Sequence, residues 1–254
     1  MDENLITVER LVTHYGDVLV LNDVSFNVRR GEIFVIIGGS GCGKTTLLKH
    51  MTGLLRATAG AIRYSGVDIT EMDEDELSKM QQGIGIAFQT GGLFNSMTVG
   101  DNVALPLREY GDMDETLIQA IVRMKLSLVG LAHAQHMMPD ALSGGMRKRA
   151  GLARAMALDP PAVYFDEPSA GLDPIMASGL DDLILNLKQL LGITFVIVTH
   201  ELDSIRKVAD RLIMLDHGRL AFAGTVEEAE NAPIPRVRQF FERRADEYIA
   251  PRNA

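Results

Sequence analysis

This sequence of 254 residues has a single cysteine, no apolar run long enough to cross a bilayer and no surplus of basic residues. With Cys42 alone, no disulfide can form within the chain, and a reducing cytosol is the natural compartment. The net charge of −9 speaks against a nucleic-acid binder that relies on a general positive field. No stretch reaches the roughly 20 apolar residues of a membrane helix. Met1-Asp2-Glu3-Asn4 starts acidic, unlike the basic-then-apolar pattern of a secretory signal. The expectation is a chain soluble by itself, held at any membrane by a partner. An apolar fraction of 46% is ample for a buried core, and the length suits one large α/β domain or two small ones.

What is present is sharper. Gly38-Gly39-Ser40-Gly41-Cys42-Gly43-Lys44-Thr45 follows the apolar run Ile33-Phe34-Val35-Ile36-Ile37 and opens into the helix start Thr46-Leu47-Leu48-Lys49. Strand, glycine-rich loop, helix is the order of a phosphate-binding loop: Gly, four free positions, then Gly-Lys-Ser/Thr. Glycines let the backbone curl so that successive N–H groups form an anion nest, and the following helix adds its positive end. Lys44 is spaced to reach the β- and γ-phosphates and Thr45 to offer its hydroxyl to Mg²⁺. Cys42 inside this loop reads as a small tolerated side chain rather than a redox sensor.

Along the chain, Leu5–Val8, Val18–Leu21 and Val24–Val28 predict antiparallel β, and 60–64 another β piece before a Ser65-Gly66 turn. The acidic run from Glu71 to Glu76 reads as a solvated helix start without chemistry. Ile84–Phe88 predicts a buried strand ending at Gln89, followed by an irregular stretch to Thr98. Leu117, Ile121, Met124 and Leu128 are spaced for one helix face. Residues 95 to 155 hold helix and loop but no convincing strand, an all-helical insert in an α/β core. Strand and helix alternate from 162: strands at 162–165 and 194–198 enclose a stripe of Leu180, Leu183, Ile184, Leu187, Leu190 and Leu191. A hairpin turns at 216–219, and Thr225 with Glu228 is a capping box. Residues 231–254, with Pro233, Pro235, Pro251 and five arginines, read as a tail or docking segment, leaving 1–230 as one domain.

Two further stretches carry chemistry. Asp166-Glu167 ends an apolar strand, where α/β sheets bind ligands. Alone it could be a surface acidic turn; with the phosphate loop upstream, Asp166 is placed to hold Mg²⁺ and Glu167 to orient the attacking water. Leu142-Ser143-Gly144-Gly145-Met146 precedes a helix rich in Arg, Lys and Ala. It fits a second anion site, or equally a serine N-cap with glycine neighbours.

Gly38 to Thr45, Gln89, Leu142-Ser143-Gly144-Gly145, Asp166-Glu167, Ser169-Ala170-Gly171-Leu172-Asp173 and His200 stand in the order of an ATP-binding cassette (ABC) ATPase, which the chain resembles over residues 5 to 225. The resemblance implies a RecA-like P-loop NTPase core of mainly parallel sheet, with an N-terminal antiparallel β subdomain and a helical subdomain at about 95–155. It implies ATP and Mg²⁺ as ligands, bound in a sandwich dimer. There the phosphate loop of one copy, with Thr46 beside it, faces Ser143-Gly144-Gly145 of a second copy. Tyr15 matches the aromatic that stacks on adenine, Gln89 the residue that touches Mg²⁺ and relays closure to a membrane partner, and Asp173 one that crosses the dimer interface. Asp166 and Thr45 match metal ligands; Lys44, Glu167 and His200 match catalytic positions, with His200 on the γ-phosphate.

The stretch after Gln89, running from Thr90 through Val99 to Glu109, is similar to ATPases of the Mla system and related Mce-associated phospholipid transporters. So are Met146-Arg147-Lys148-Arg149, Thr199-His200-Glu201-Leu202 and Val237-Arg238-Gln239-Phe240. Glu201 departs from the wider superfamily, and Ala245-Asp246-Glu247-Tyr248 follows the group's ending only loosely. The similarity implies integral-membrane permease subunits, an Mce-type substrate-binding protein, a small accessory protein and lipid cargo, at the cytoplasmic face of an inner membrane. Two other readings stand beside it: a transporter ATPase for another substrate, and a soluble ABC ATPase serving an assembly complex.

Overall fold

A computed structural model describes residues 3–244. The chain builds two sheets. Strands β1 (Asn4–Tyr15), β2 (Val18–Arg29), β4 (Ala59–Tyr64) and β5 (Val67–Asp68) form an antiparallel sheet ordered β2-β1-β4-β5. Strands β3 (Ile33–Gly38), β6 (Ile84–Ala87), β7 (Ala162–Asp166), β8 (Thr194–Val198), β9 (Arg211–Asp216) and β10 (Arg219–Gly224) form the second, ordered β10-β9-β3-β8-β7-β6. Its strands run parallel from β9 to β6, and β10 returns antiparallel. The two runs expected at 18–21 and 24–28 join into the one strand β2, irregular against β1 but unbroken.

Strand β3 shows why the layers assemble as they do. It is buried throughout, as a continuous apolar run in a parallel sheet must be. Alternate side chains serve opposite cores. Phe34 and Ile36 join the core under the antiparallel sheet, where Phe26 stacks on Phe34 at 5.4 Å, while Ile33, Val35 and Ile37 join the core under the helices. Helix α1 (Lys44–Met51) leaves β3 through the glycine-rich loop, and α2 (Glu74–Gln82) starts at an Asp73 capping box.

The helical region holds α3 (Val99–Tyr110), α4 (Glu115–Leu128) and α5 (Gly144–Ala155), with no strand between β6 and β7. Here the structure refines one expectation: of the stripe expected to face inward, Ile121 and Leu128 pack half-buried against the main core. The face of α4 that enters the core is Ile118, Val122 and Leu126, with Lys125, whereas Leu117 and Met124 are each 48% exposed. Both stripes are apolar at helical spacing. Lys125, buried beside the fully packed stripe, pairs with Asp159 from outside the helix. Helix α6 (Pro174–Leu191) likewise buries Leu180, Ile184 and Leu187 and leaves Leu190 and Leu191 exposed.

Helices α7 (Leu202–Val208), α8 (Val226–Glu230) and α9 (Pro235–Phe241) complete the layer. The stretch expected from 231 as a tail or docking segment begins as a helix, with Val237 and Phe241 in the main core. Arg236 adds an ion pair to Asp216 at 3.2 Å. Ala245-Asp246-Glu247-Tyr248 lies outside the described residues. Among the described residues no helix is long and apolar enough to cross a membrane.

Candidate nucleotide site

The parallel sheet delivers the candidate residues to one edge. Gly38 ends β3, Asp166 ends β7 with Glu167 next, His200 follows β8 by two residues, and Gln89 follows β6 by two. These strands are neighbours in the order β3-β8-β7-β6, so their carboxyl ends form a continuous rim, where open α/β sheets bind ligands.

The phosphate loop is packed too closely for side chains at two points. A Cβ on Gly38 would fall 2.3 Å from the Leu215 carbonyl oxygen of β9 and 2.6 Å from the Cys42 Sγ. One on Gly43, at φ 104°, would fall 2.7 Å from the Leu21 Cδ2 of β2. Gly43 is also the N-cap of α1 and gives that helix no side-chain hydrogen bond, and no acid stands in its first turn. The first N–H groups of α1 are therefore left for a ligand. Lys44 Nζ donates to the Gly38 and Gly39 carbonyl oxygens, both at 2.9 Å, so the ammonium closes the loop on itself. Cys42 is buried beneath, and burial pushes its thiol up although Lys44 opposes this. Ser40, Gly41 and Thr45 are exposed, and Thr46 is half-buried.

Asp166 is half-buried. Burial, then the neighbouring Glu167 carboxylate, raises its carboxyl pKa, while Lys44 and Lys49 pull it down. That opposition places Asp166 within electrostatic reach of the phosphate-loop lysine. Glu167 adopts φ 48°, the left-handed region that a glutamate rarely enters. Its N–H donates to the Val198 carbonyl at 2.8 Å, and its Oε1 lies 2.9 Å from His200 Nδ1. Its other carboxylate oxygen, Oε2, is buried without a partner. A buried carboxylate oxygen with no donor is costly, so it is open to a hydrogen bond from a water or ligand. The His200 ring is 59% exposed, with Nε2 3.5 Å from Glu201.

The remaining candidates sit apart. Tyr15 ends β1 at the tip of the antiparallel sheet and is 47% exposed; Gln89 is exposed in the turn after β6. Ser143 is the N-cap of α5, accepting from Met146 N–H at 3.3 Å, and Asp173 is the N-cap of α6, accepting from Ile175 and Met176 N–H at 3.0 Å each. A Cβ on Gly144 or Gly145 would meet Leu172 or Met176, so this loop packs beside the α6 start and not on the phosphate loop of its own chain.

Three basic residues at the site had no distinguishing signal in the sequence. Lys148 of α5 donates to the Glu167 and Ala170 carbonyl oxygens. Burial lowers its pKa against the pull of Glu167. Arg154 of α5 donates to the Gly92 carbonyl at 2.6 Å and lies over the Phe94 ring, fixing the stretch after Gln89. Arg236 of α9 reaches the phosphate loop, 3.1 Å from where a Gly39 Cβ would stand.

Comparison with known proteins gives the family. The profile of the ABC transporter family matches residues 21–170, and the chain belongs to that family, as an ATP-binding subunit with ABC-type ATPase activity. Among curated relatives it is 40% identical to the intermembrane phospholipid transport system ATP-binding protein MlaF of Haemophilus influenzae, over 97% of this chain and 93% of that one. It is 42% identical to the probable ribonucleotide transport ATP-binding protein mkl of Mycobacterium leprae, over 92% of this chain and 68% of that one. An ATP-binding cassette solved as a dimer in a post-hydrolysis state with ADP and Pi superposes with a TM-score of 0.78 at 28% identity, covering 87% of this chain and 98% of that chain.

Proposed function

We propose that this chain energises a transporter that moves phospholipid between bacterial membranes. The observation that carries the proposal is the similarity to MlaF along nearly the whole of both chains. The stretch from Gln89 to Glu109 supports it, because its sequence resembles that of the same transporters. Arg154 holds the first part of that stretch in shape, through Gly92 and Phe94. On this reading the chain sits at the cytoplasmic face of an inner membrane, held by integral-membrane permease subunits. An Mce-type substrate-binding protein and a small accessory protein complete the assembly.

The catalytic unit is a dimer with ATP between the phosphate loop of one copy and Ser143-Gly144-Gly145 of the other. Lys44 exchanges the Gly38 and Gly39 carbonyls for phosphate oxygens, a stronger charge-assisted pairing. Thr45, Asp166 and Gln89 offer three oxygen donors suited to a hard cation and would hold Mg²⁺, which neutralises phosphate charge when bound. Tyr15 presents an exposed ring for the adenine face. Glu167 accepts a proton from the attacking water at its unpartnered Oε2 while His200 holds Oε1. An imidazole that donates through Nδ1 to Glu167 has Nε2 as an acceptor. Contact of His200 with the γ-phosphate therefore needs the doubly protonated ring or a swing away from Glu167. Asp173 and the Ser143 loop lie side by side and complete the shell of the other copy's ATP, so hydrolysis follows dimer closure.

The match to mkl favours a second reading, transport of a ribonucleotide. Purification from native membranes followed by mass spectrometry of the bound cargo separates the two. Co-purified phospholipid supports the first reading; a ribonucleotide cargo, or recovery only with soluble proteins, overturns it.

A further inference from the structure

The Glu167 carboxylate is aimed by its backbone, and that backbone is in an unfavourable place. At φ 48° a residue with a Cβ needs its neighbours to hold it. The N–H side is held by β8, through the Val198 carbonyl at 2.8 Å. The carbonyl side belongs to a tight turn in which Ala170 N–H donates to Glu167 O at 3.3 Å, a long bond that holds it weakly. The stronger hold comes from a different part of the chain. Lys148 Nζ donates to Glu167 O at 3.1 Å and to Ala170 O at 2.7 Å, bracketing the turn at both ends.

Lys148 is only 5% exposed, and among the described residues it forms no ion pair within salt-bridge distance. A buried ammonium bonded to main-chain carbonyls is expensive relative to an apolar side chain of the same length. Packing alone does not account for it. Its position does: α5 begins at Ser143, passes Lys148 beneath the Glu167 turn, and ends with Gly151 and Arg154 against the stretch after Gln89. At Gly151 a Cβ would stand 2.4 Å from the Gly91 carbonyl oxygen, so helix and loop touch backbone to backbone.

We propose that Lys148 is a positioning residue for hydrolysis: its ammonium locks the Glu167–Ala170 turn and so sets the aim of the Glu167 carboxylate toward His200. The same bonds make the aim depend on where α5 sits, linking the Ser143 end of the helix to the carboxylate. The proposal rests on the reading of Glu167 as the residue that takes the proton from water.

The test is steady-state ATP hydrolysis by the full chain, with fluorescent-nucleotide titration alongside. Lys148→Met removes both donors at nearly constant length. Because small misplacements of a reacting group cost up to about a hundredfold, kcat should fall about 10- to 100-fold while KM and nucleotide affinity stay within about twofold. Lys148→Gln keeps two amide hydrogens on a side chain one bond shorter, so it should recover part of the loss and turn over at least about threefold faster than the Met variant. A Met variant with more than half the native kcat overturns the proposal, as does one that loses nucleotide affinity in step with turnover. Should the Met variant not fold, Lys148→Leu carries the test in its place, and a folded Leu variant with more than half the native kcat overturns the proposal. Glu167→Gln is measured in parallel. If that variant still turns over, the reading of Glu167 fails and this proposal with it; if it is inactive while Lys148→Met is active, only the role of Lys148 fails.

Discussion

Two glycine-containing loops lead into helices in this chain, and they are built to opposite specifications. The phosphate loop caps nothing: Gly43 offers α1 no side-chain acceptor, no acid stands in the first turn, and Lys44 folds back on the loop's own carbonyls. The Ser143 loop caps itself, spending its hydroxyl on Met146 N–H. The first is wedged between β9 and β2, where Gly38 and Gly43 have no room for a Cβ. The second is exposed at Ser143 and Gly144, with the side chains of Leu172 and Met176 nearby. An uncapped helix end in a rigid cradle can bind phosphate without further help. A capped one on a free surface binds only what a second molecule presses against it, and it must share or release its cap to do so. On the proposed function the site is therefore asymmetric, with binding belonging to the first loop and commitment to the second.

The largest expected effect joins the two loops. Glu167→Gln keeps shape and removes the base, so turnover should fall by about a hundredfold or more, as for loss of a positioned general base. Nucleotide binding should remain, leaving an ATP-dependent dimer. A monomer on a sizing column at saturating ATP would break the assignment of the Ser143 loop to a second copy. Next comes the first loop alone. Lys44→Ala removes a charge-assisted contact worth up to about 3 kcal/mol, which is about a hundredfold in affinity. Unchanged affinity in a fluorescent-nucleotide titration would mean the phosphate loop is not where binding resides. A smaller effect falls on the second loop. Ser143→Ala removes an N-cap worth about 1 kcal/mol of stability. It should also lower turnover while leaving the affinity of the isolated chain for nucleotide unchanged. Equal loss of affinity would erase the distinction between binding and commitment.

The two loops were also unequally legible. The phosphate loop follows from spacing, because strand, glycine-rich turn and Lys-Thr at a helix start have few other uses. The Ser143 loop reads equally well as an ordinary cap, and in this chain alone it is one; only the resemblance to ABC ATPases gave it a second role. The same holds for His200, which spacing could not join to Glu167 across 33 residues, though the fold sets them 2.9 Å apart. The buried strands of the parallel sheet follow from apolar runs such as β3 and β8, whereas their order in the sheet comes only with the fold. So does the inward face of α4. Its two apolar stripes differ little in composition, and the one that packs fully is set by contact with α3 and α5, which nothing local shows. Lys148 stayed hidden for a like reason. It stands between Arg147 and Arg149 in a basic run, and nothing local shows that its ammonium points inward to Glu167.

The smallest effect tests whether Asp166 serves as the metal-holding carboxylate of the proposed function. Burial and the Glu167 carboxylate raise the Asp166 pKa in the folded chain. A folded value above the unfolded ~3.9 means that the ionised group works against folding. The stability that protonation brings is fully present below about pH 3.9 and is lost as pH rises through the folded value. Asp166→Asn should therefore raise the melting temperature of the nucleotide-free protein at neutral pH, and the gain should shrink as the buffer is acidified. With Mg²⁺ and ATP the sign should reverse, because the native carboxylate gains a cation and the amide does not. A variant stabilised equally with and without Mg²⁺–ATP would show that Asp166 does not hold the metal. One destabilised in both conditions would show that it serves the loop as a structural anion for Lys44 and Lys49. Only the crossing of the two curves fits a carboxylate kept in a costly state at the rim of the first loop until nucleotide and metal relieve it.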